Sequence, residues 1–124
     1  MSLTFDEYAQ KASDTAIYPS IMPMDEQGNF SFQSYQGITY LALGLCGEAG
    51  EVAELIKKMY CDDYGYLSVE RQAKLKKELG DVLWYLSEVA RQAGLSLREV
   101  AEANIEKLTA RQESGTIHGD GSDR

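Results

Sequence analysis

The stretch GLCGEAGEVAELIKK (residues 44–58) decides how this chain is read. Its apolar residues, Leu45, Ala49, Val52, Leu55 and Ile56, recur with helical period, and the pattern runs from about Ile38 to Met59. Inside that helix stand Gly44, Gly47 and Gly50, with Glu48, Glu51 and Glu54 threaded between them. An interior glycine costs a helix roughly 1 kcal/mol relative to alanine, and like charges one turn apart repel. The glycines therefore need a reason. They admit the backbone of a second helix, or they leave room for a ligand beside the carboxylates. Tight packing with nothing bound explains them equally well.

Outward from this helix, the pattern stays helical. Upstream, TFDE at residues 4–7 is a capping box, with Thr4 as N-cap and Glu7 three positions on. It opens a short helix to about Ala16. Residues 17–36 hold both prolines, Pro19 and Pro23, and read as a long irregular connection. Downstream, YCDDYGYLS breaks the pattern, and a third helix follows from about Val69 to Ala93, with Gly94 placed as its stop. Its apolar set includes Leu75, Leu79, Val82, Leu83, Leu86 and Val89. SLRE at 96–99 is a second capping box, opening a fourth helix to about Gln112. The glycine-rich, polar residues 113–124 read as a tail. No strand alternation and no internal repeat is present. The expected fold is all-α, one antiparallel helical bundle of about four helices over residues 1–124.

The chain's 124 residues carry a formal net charge of −8, which excludes a generic nucleic-acid surface, since such binding runs on Lys and Arg neutralising phosphates. No apolar run approaches the roughly 20 residues that span a bilayer. The N-terminus has neither the basic start nor the apolar core of a signal peptide. Cys46 and Cys61 form no CxxC and no zinc spacing. Cys46 is expected as a buried free thiol, in a reducing cytoplasm.

Chemistry concentrates on acids. Glu48 and Glu51 share one face of the second helix, and Glu78 and Asp81 in KKELGDVLWYL share one face of the third. Antiparallel packing brings the two pairs within reach of each other. Four clustered carboxylates do not all stay ionised without compensation. A hard divalent cation such as Mg²⁺ resolves the conflict, because it takes oxygen ligands and keeps waters for a phosphate to displace. One such pair alone is usually a solvated face; two on consecutive apolar helices favour a site. The lone histidine, His118 in the tail, excludes Glu-x-x-His di-iron and HExxH zinc chemistry. On the fourth helix Asn104, Lys107 and Arg111 fall on one face, suited to phosphate oxygens or simply to the helix C-terminus. Tyr85 lies one turn beyond Asp81 and borders the acidic face, where it can stack on a base. Trp84 reads more readily as a core or interface aromatic.

GEAGE at 47–51, ELGD at 78–81 and NIEKLTAR at 104–111 together resemble the MazG-like family of all-α nucleoside triphosphate pyrophosphohydrolases, over about residues 36–124. That resemblance implies Mg²⁺, or Mn²⁺ in its place, held by Glu48, Glu51, Glu78 and Asp81. It implies phosphate contacts from Lys107 and Arg111 and a nucleotide contact from Asn104. The implied reaction is hydrolysis between the α- and β-phosphates, releasing a nucleoside monophosphate and pyrophosphate, with Glu48 or Glu51 taking the proton from water. Many members carry a glutamate directly before the first ligand, where this chain has Gly47. Glu54, the nearest substitute, lies about 120° round the helix from Glu48. The resemblance also implies a homodimer or homotetramer, in keeping with the wide apolar arc of the second and third helices. Two alternatives stay open: a phosphoribosyl-ATP or dUTP/dCTP pyrophosphatase of the same superfamily, and a non-catalytic acidic helical module that binds a protein partner.

Overall fold

Residues 63–68 are too few to do more than turn the chain back on itself, so the two long helices that flank them form an antiparallel hairpin. The computed structural model describes residues 2–18, 27 and 34–115, with the side chains of 34–36 excepted. Four helices appear in order: α1 Phe5–Ser13, α2 Ser34–Asp62, α3 Val69–Gln92 and α4 Leu97–Glu113. No strand occurs among the described residues, and the all-α expectation holds. The α2–α3 hairpin is the main packing; α1 lies against α3 and α4, and α4 lies against α3 and α1 but not against α2. No helix among the described residues is long and apolar enough to cross a membrane.

The helix ends follow their local chemistry. Thr4 Oγ1 accepts the Glu7 amide at 3.2 Å, and the Glu7 carboxylate accepts the Thr4 amide at 2.8 Å. Ser96 and Glu99 repeat the arrangement at the start of α4, at 3.0 and 2.9 Å. α3 ends as the sequence expects: Gly94 takes φ +73°, and the Leu95 amide reaches back to the Ala90 carbonyl at 2.9 Å. α2 closes with the same backbone bond, Gly65 amide to Met59 carbonyl at 3.1 Å, but Tyr64 sits in the left-handed position with φ 54°. Arg71 of α3 reaches back across that turn to Asp63 and Asp62. Two expectations need correcting. α2 begins at Ser34, so residues 34–36 of the expected irregular 17–36 connection are helical. Cys46 is exposed rather than buried, because it projects from the side of α2 that no other helix covers. Pro19 and Pro23, and the tail with His118 and Arg124, lie outside the described residues.

The hairpin register rests on one contact. A Cβ built on Gly44 would stand 2.0, 2.4 and 2.7 Å from atoms of the Tyr85 ring, so the ring occupies the space that any side chain at 44 would take. In an antiparallel pair, a turn forward on α2 faces a turn backward on α3. Gly44 opposite Tyr85 therefore sets Glu48 opposite Asp81 and Glu51 opposite Glu78. It also sets Leu41 opposite Glu88, and both of those are fully buried. Gly47 and Gly50 have nothing within 4 Å of where a Cβ would stand. Of the three glycines, Gly44 alone answers to packing within this chain.

Glu88 anchors the segment that follows α1. Its carboxylate accepts from the Tyr18 hydroxyl at 2.6 Å and from the Arg91 guanidinium at 2.7 Å, while the Gln92 amide donates to that hydroxyl at 2.7 Å. Burial first, and then the bond to Glu88, push the Tyr18 phenol up from its ordinary value. Few apolar side chains are fully enclosed: Ala12, Leu41, Ala90 and Leu97. Leu43, Leu79 and Ile105 are each more than half exposed. The wide apolar arc seen in the sequence is thus left largely uncovered by the chain's own helices.

Three stability outcomes follow. Gly47→Ala and Gly50→Ala stabilise the isolated chain by about 1 kcal/mol each in urea unfolding, since nothing opposes the gain in helix propensity. Gly44→Ala lacks that gain and costs about 1–3 kcal/mol, because the Tyr85 ring must move. Glu88→Ala costs about 2 kcal/mol rather than the 3–5 kcal/mol of a fully buried pair, because half-exposed Arg91 returns its charge to water.

Candidate active site

Glu48 on α2 and Glu78 and Asp81 on α3 each bring one carboxylate oxygen within 4.8 Å of the other two. Glu48 and Glu78 are half-buried and Asp81 is exposed. The helical period puts Glu78 and Asp81 on one face of α3, and the Gly44–Tyr85 contact slides that face level with Glu48. Desolvation, and then the charges of Asp81, Glu78 and Glu51, push the Glu48 carboxyl above its ordinary value. Glu51 thus adds to the local field, but its carboxylate is outside the group of three, and its side chain is exposed.

A pocket of about 370 Å³ opens beside the acids, lined by Thr15, Glu48, Asp81, Trp84 and Tyr85. Larger hollows of about 480 and 580 Å³ lie elsewhere, around Leu3, Phe5 and Leu83 and around Leu67, Val69 and Leu79. No carboxylate lines either of them. A third hollow, of about 450 Å³, has Glu102 and Glu106 in its wall, but Glu102 is paired with Arg98 there. The smaller pocket adjoins the three converging carboxylates and is selected for that reason. Its aromatic wall is built from edge contacts: the Trp84 and Tyr85 rings are 5.0 Å apart at 83°, and Tyr18 meets Trp84 at 6.2 Å and 89°. Burial, followed by a hydrogen bond with Tyr40, pushes the Tyr85 phenol up.

Of the residues singled out by sequence, the fold brings together Glu48, Glu78, Asp81 and Tyr85. It does not bring Asn104, Lys107 or Arg111 to them: α4 makes no contact with α2, and none of the three lines the pocket. Trp84, read as a core or interface aromatic, is a pocket wall instead. Thr15 was not singled out at all. A threonine just past a helix end carries no local signal, and only the packing of α1 on α3 brings it here.

Residues 36–116 match the MazG nucleotide pyrophosphohydrolase domain. The chain belongs to that family. It is also similar to the Gene 37 protein of Mycobacterium phage L5, at 40% identity over 119 residues, which covers 96% of this chain and 97% of that one. No solved structure matches it at a significant level. All three converging carboxylates and the aromatic pair lie inside the matched MazG domain; Thr15 and Tyr18 lie before it.

The donor set fits Mg²⁺. Three carboxylates supply hard oxygen donors with no histidine or cysteine among them, and the charges of Asp81, Glu78 and Glu51 add to desolvation in raising the Glu48 carboxyl, a repulsion that a divalent cation relieves. A pH dependence follows. Because the Glu48 carboxyl is held above 4.5 in the folded chain, its ionisation opposes folding at neutral pH, and this penalty fades as the pH falls through the folded value. Glu7, Glu54 and Glu99 run the other way: their carboxyls are held low by hydrogen bonds, and their contribution is lost below 4.5. In metal-free protein, Glu48→Gln raises Tm at pH 7, and the gain shrinks as the pH falls and is gone below 4.5. With Mg²⁺ at about 100 times its Kd, the native chain gains about 2.7 kcal/mol and the variant loses most of that gain. Calorimetric melts with and without Mg²⁺ read both effects.

Proposed function

We propose that this chain hydrolyses nucleoside triphosphates between the α- and β-phosphates, with Mg²⁺, to a nucleoside monophosphate and pyrophosphate. The observation that carries the reading is the convergence of Glu48, Glu78 and Asp81 beside an aromatic-walled pocket, in a chain of the MazG family. The three carboxylates would hold Mg²⁺, or Mn²⁺ in its place. When bound, the ion neutralises charge on the phosphate oxygens and so lowers the repulsion toward an incoming water.

The protein's own groups do the rest. Glu51 stands one helical turn from Glu48 with its carboxylate outside the group of three. It serves either as a fourth ligand or as the base that takes the proton from the attacking water. Glu48, with its raised carboxyl, is the other candidate base. As water adds, the bridging P–O bond breaks and its electron pair leaves with the departing phosphate. Tyr85, fixed over Gly44, offers a ring on which the base packs. Lys107, Arg111 and Asn104 remain the proposed phosphate and nucleotide contacts.

Since α4 makes no contact with α2, which carries Glu48, and none of these three residues lines the pocket, those last contacts call for a homodimer or homotetramer. Exposed Leu43 and Leu79, and the open space at Gly47 and Gly50, support such an assembly. Two unpaired cysteines suit a reducing cytoplasm.

Pyrophosphate release from a panel of ribo- and deoxynucleoside triphosphates, with Mg²⁺, tests the reading. Asp81→Asn lowers the rate about 100-fold or more, the scale of removing a charge stabiliser from a reacting phosphate. Glu51→Gln separates the two roles of that residue: a base lowers kcat with Mg²⁺ affinity intact, whereas a ligand loses both. A folded native chain that releases no pyrophosphate from any member of the panel would leave the non-catalytic acidic module as the reading.

A further inference from the structure

The wall of the carboxylate pocket is not made by the MazG domain alone. Thr15 lies in the turn after α1, ahead of the matched residues 36–116, yet its side chain lines the pocket with Glu48 and Asp81. The Trp84 indole N–H donates to Thr15 Oγ1 at 2.8 Å. The same hydroxyl donates to the Ala12 carbonyl at 2.7 Å. The hydroxyl proton is therefore committed to the helix end, and the oxygen's lone pairs face the indole and the pocket. Trp84 is held on its other side by the edge contact with Tyr18, and Tyr18 is tied to buried Glu88. Tyr85, perpendicular to Trp84, is fixed in turn by the absence of a side chain at Gly44.

Together these contacts set the tilt of two rings beside the acids. Planar aromatic walls next to a phosphate-directed carboxylate group suit one ligand chemistry, a flat heteroaromatic base joined to a phosphate chain. Resting on the nucleotide reading above, we infer that Thr15 is a positioning residue for base selection. It fixes the Trp84 indole so that the pocket accepts some bases over others, and the N-terminal segment, rather than the matched domain, carries that setting.

Trp84 is the chain's single tryptophan, so its fluorescence reports this wall without a label. The experiment compares the native chain, Thr15→Val and Thr15→Ser, each with Mg²⁺. It measures fluorescence on titration with non-hydrolysable α,β-imido nucleoside triphosphates, together with steady-state hydrolysis across the panel and binding of inorganic triphosphate. Valine keeps the shape and removes the oxygen; serine keeps the oxygen. The expected result is that Thr15→Val raises KM for the preferred nucleotide about 3- to 10-fold, the scale of one lost hydrogen bond. The base ranking flattens, while kcat and inorganic triphosphate binding stay within about twofold. Thr15→Ser restores both the ranking and the fluorescence response.

Native-like KM and ranking in Thr15→Val overturn the inference and leave the proposed activity standing. So does a loss that serine does not rescue, which marks Thr15 as a packing residue. A native chain that neither binds nor cleaves any nucleoside triphosphate overturns the proposed function and this inference with it.

Discussion

One steric fact, the Tyr85 ring filling the space where residue 44 has no side chain, sets the register of the two long helices. Helix pairs slide easily when only Leu and Val meet across them, because one apolar contact replaces another at little cost. A ring seated on a glycine is harder to shift, because a four-residue move meets a side chain. Moving the pair by a turn would place Tyr85 against Glu48 or Tyr40 instead of bare backbone. The contact thus aligns two acidic faces that would otherwise meet at an arbitrary level, and it leaves Glu48, Glu78 and Asp81 within 4.8 Å of one another. Packing and chemistry share one residue pair.

That alignment works against the fold that makes it. Three carboxylates brought together repel, and this repulsion adds to desolvation, the larger cause, in raising the Glu48 carboxyl. Side chains elsewhere are arranged to avoid such conflict: Glu54 lies between Lys57 and Lys58, Arg98 between Asp6 and Glu102, and Arg71 beside Asp62 and Asp63. Buried Glu88 is neutralised by Arg91 and bonded by Tyr18. Among the described residues, no ion pair of this kind joins Glu48, Glu78 or Asp81. A group of three converging carboxylates of this kind has the oxygen donors that a hard divalent cation takes.

The N-terminal segment connects these two regions. α1 contributes little apolar burial, with Ala12 its one fully buried residue. Its position is fixed instead by polar ties to α3, through Thr15 to Trp84 and through Tyr18 to Glu88. Hydrogen bonds are directional where apolar contacts are not, so a segment held in this way can orient a ring as well as cover it. The exposed Leu43 and Leu79 show the complementary economy of the long helices, whose apolar arc exceeds what the described helices enclose.

Sequence alone determined everything that acts over one or two helical turns. The two capping boxes, the Gly94 stop, the four helices and the pairing of Glu48 with Glu51 and of Glu78 with Asp81 on their faces follow from backbone geometry, and a helix repeats that geometry whatever surrounds it. The tertiary structure decided what depends on level and approach. It separated Gly44, which a ring requires, from Gly47 and Gly50, which none of the described residues touches. It gathered three of the four acids and left Glu51 beside them, kept Asn104, Lys107 and Arg111 away from the pocket, and added Thr15 to its wall. Periodicity tells which residues share a face; it does not tell which turn of one helix stands opposite which turn of the next. That is settled by steric fit between side chains far apart in sequence, here a tyrosine and a glycine.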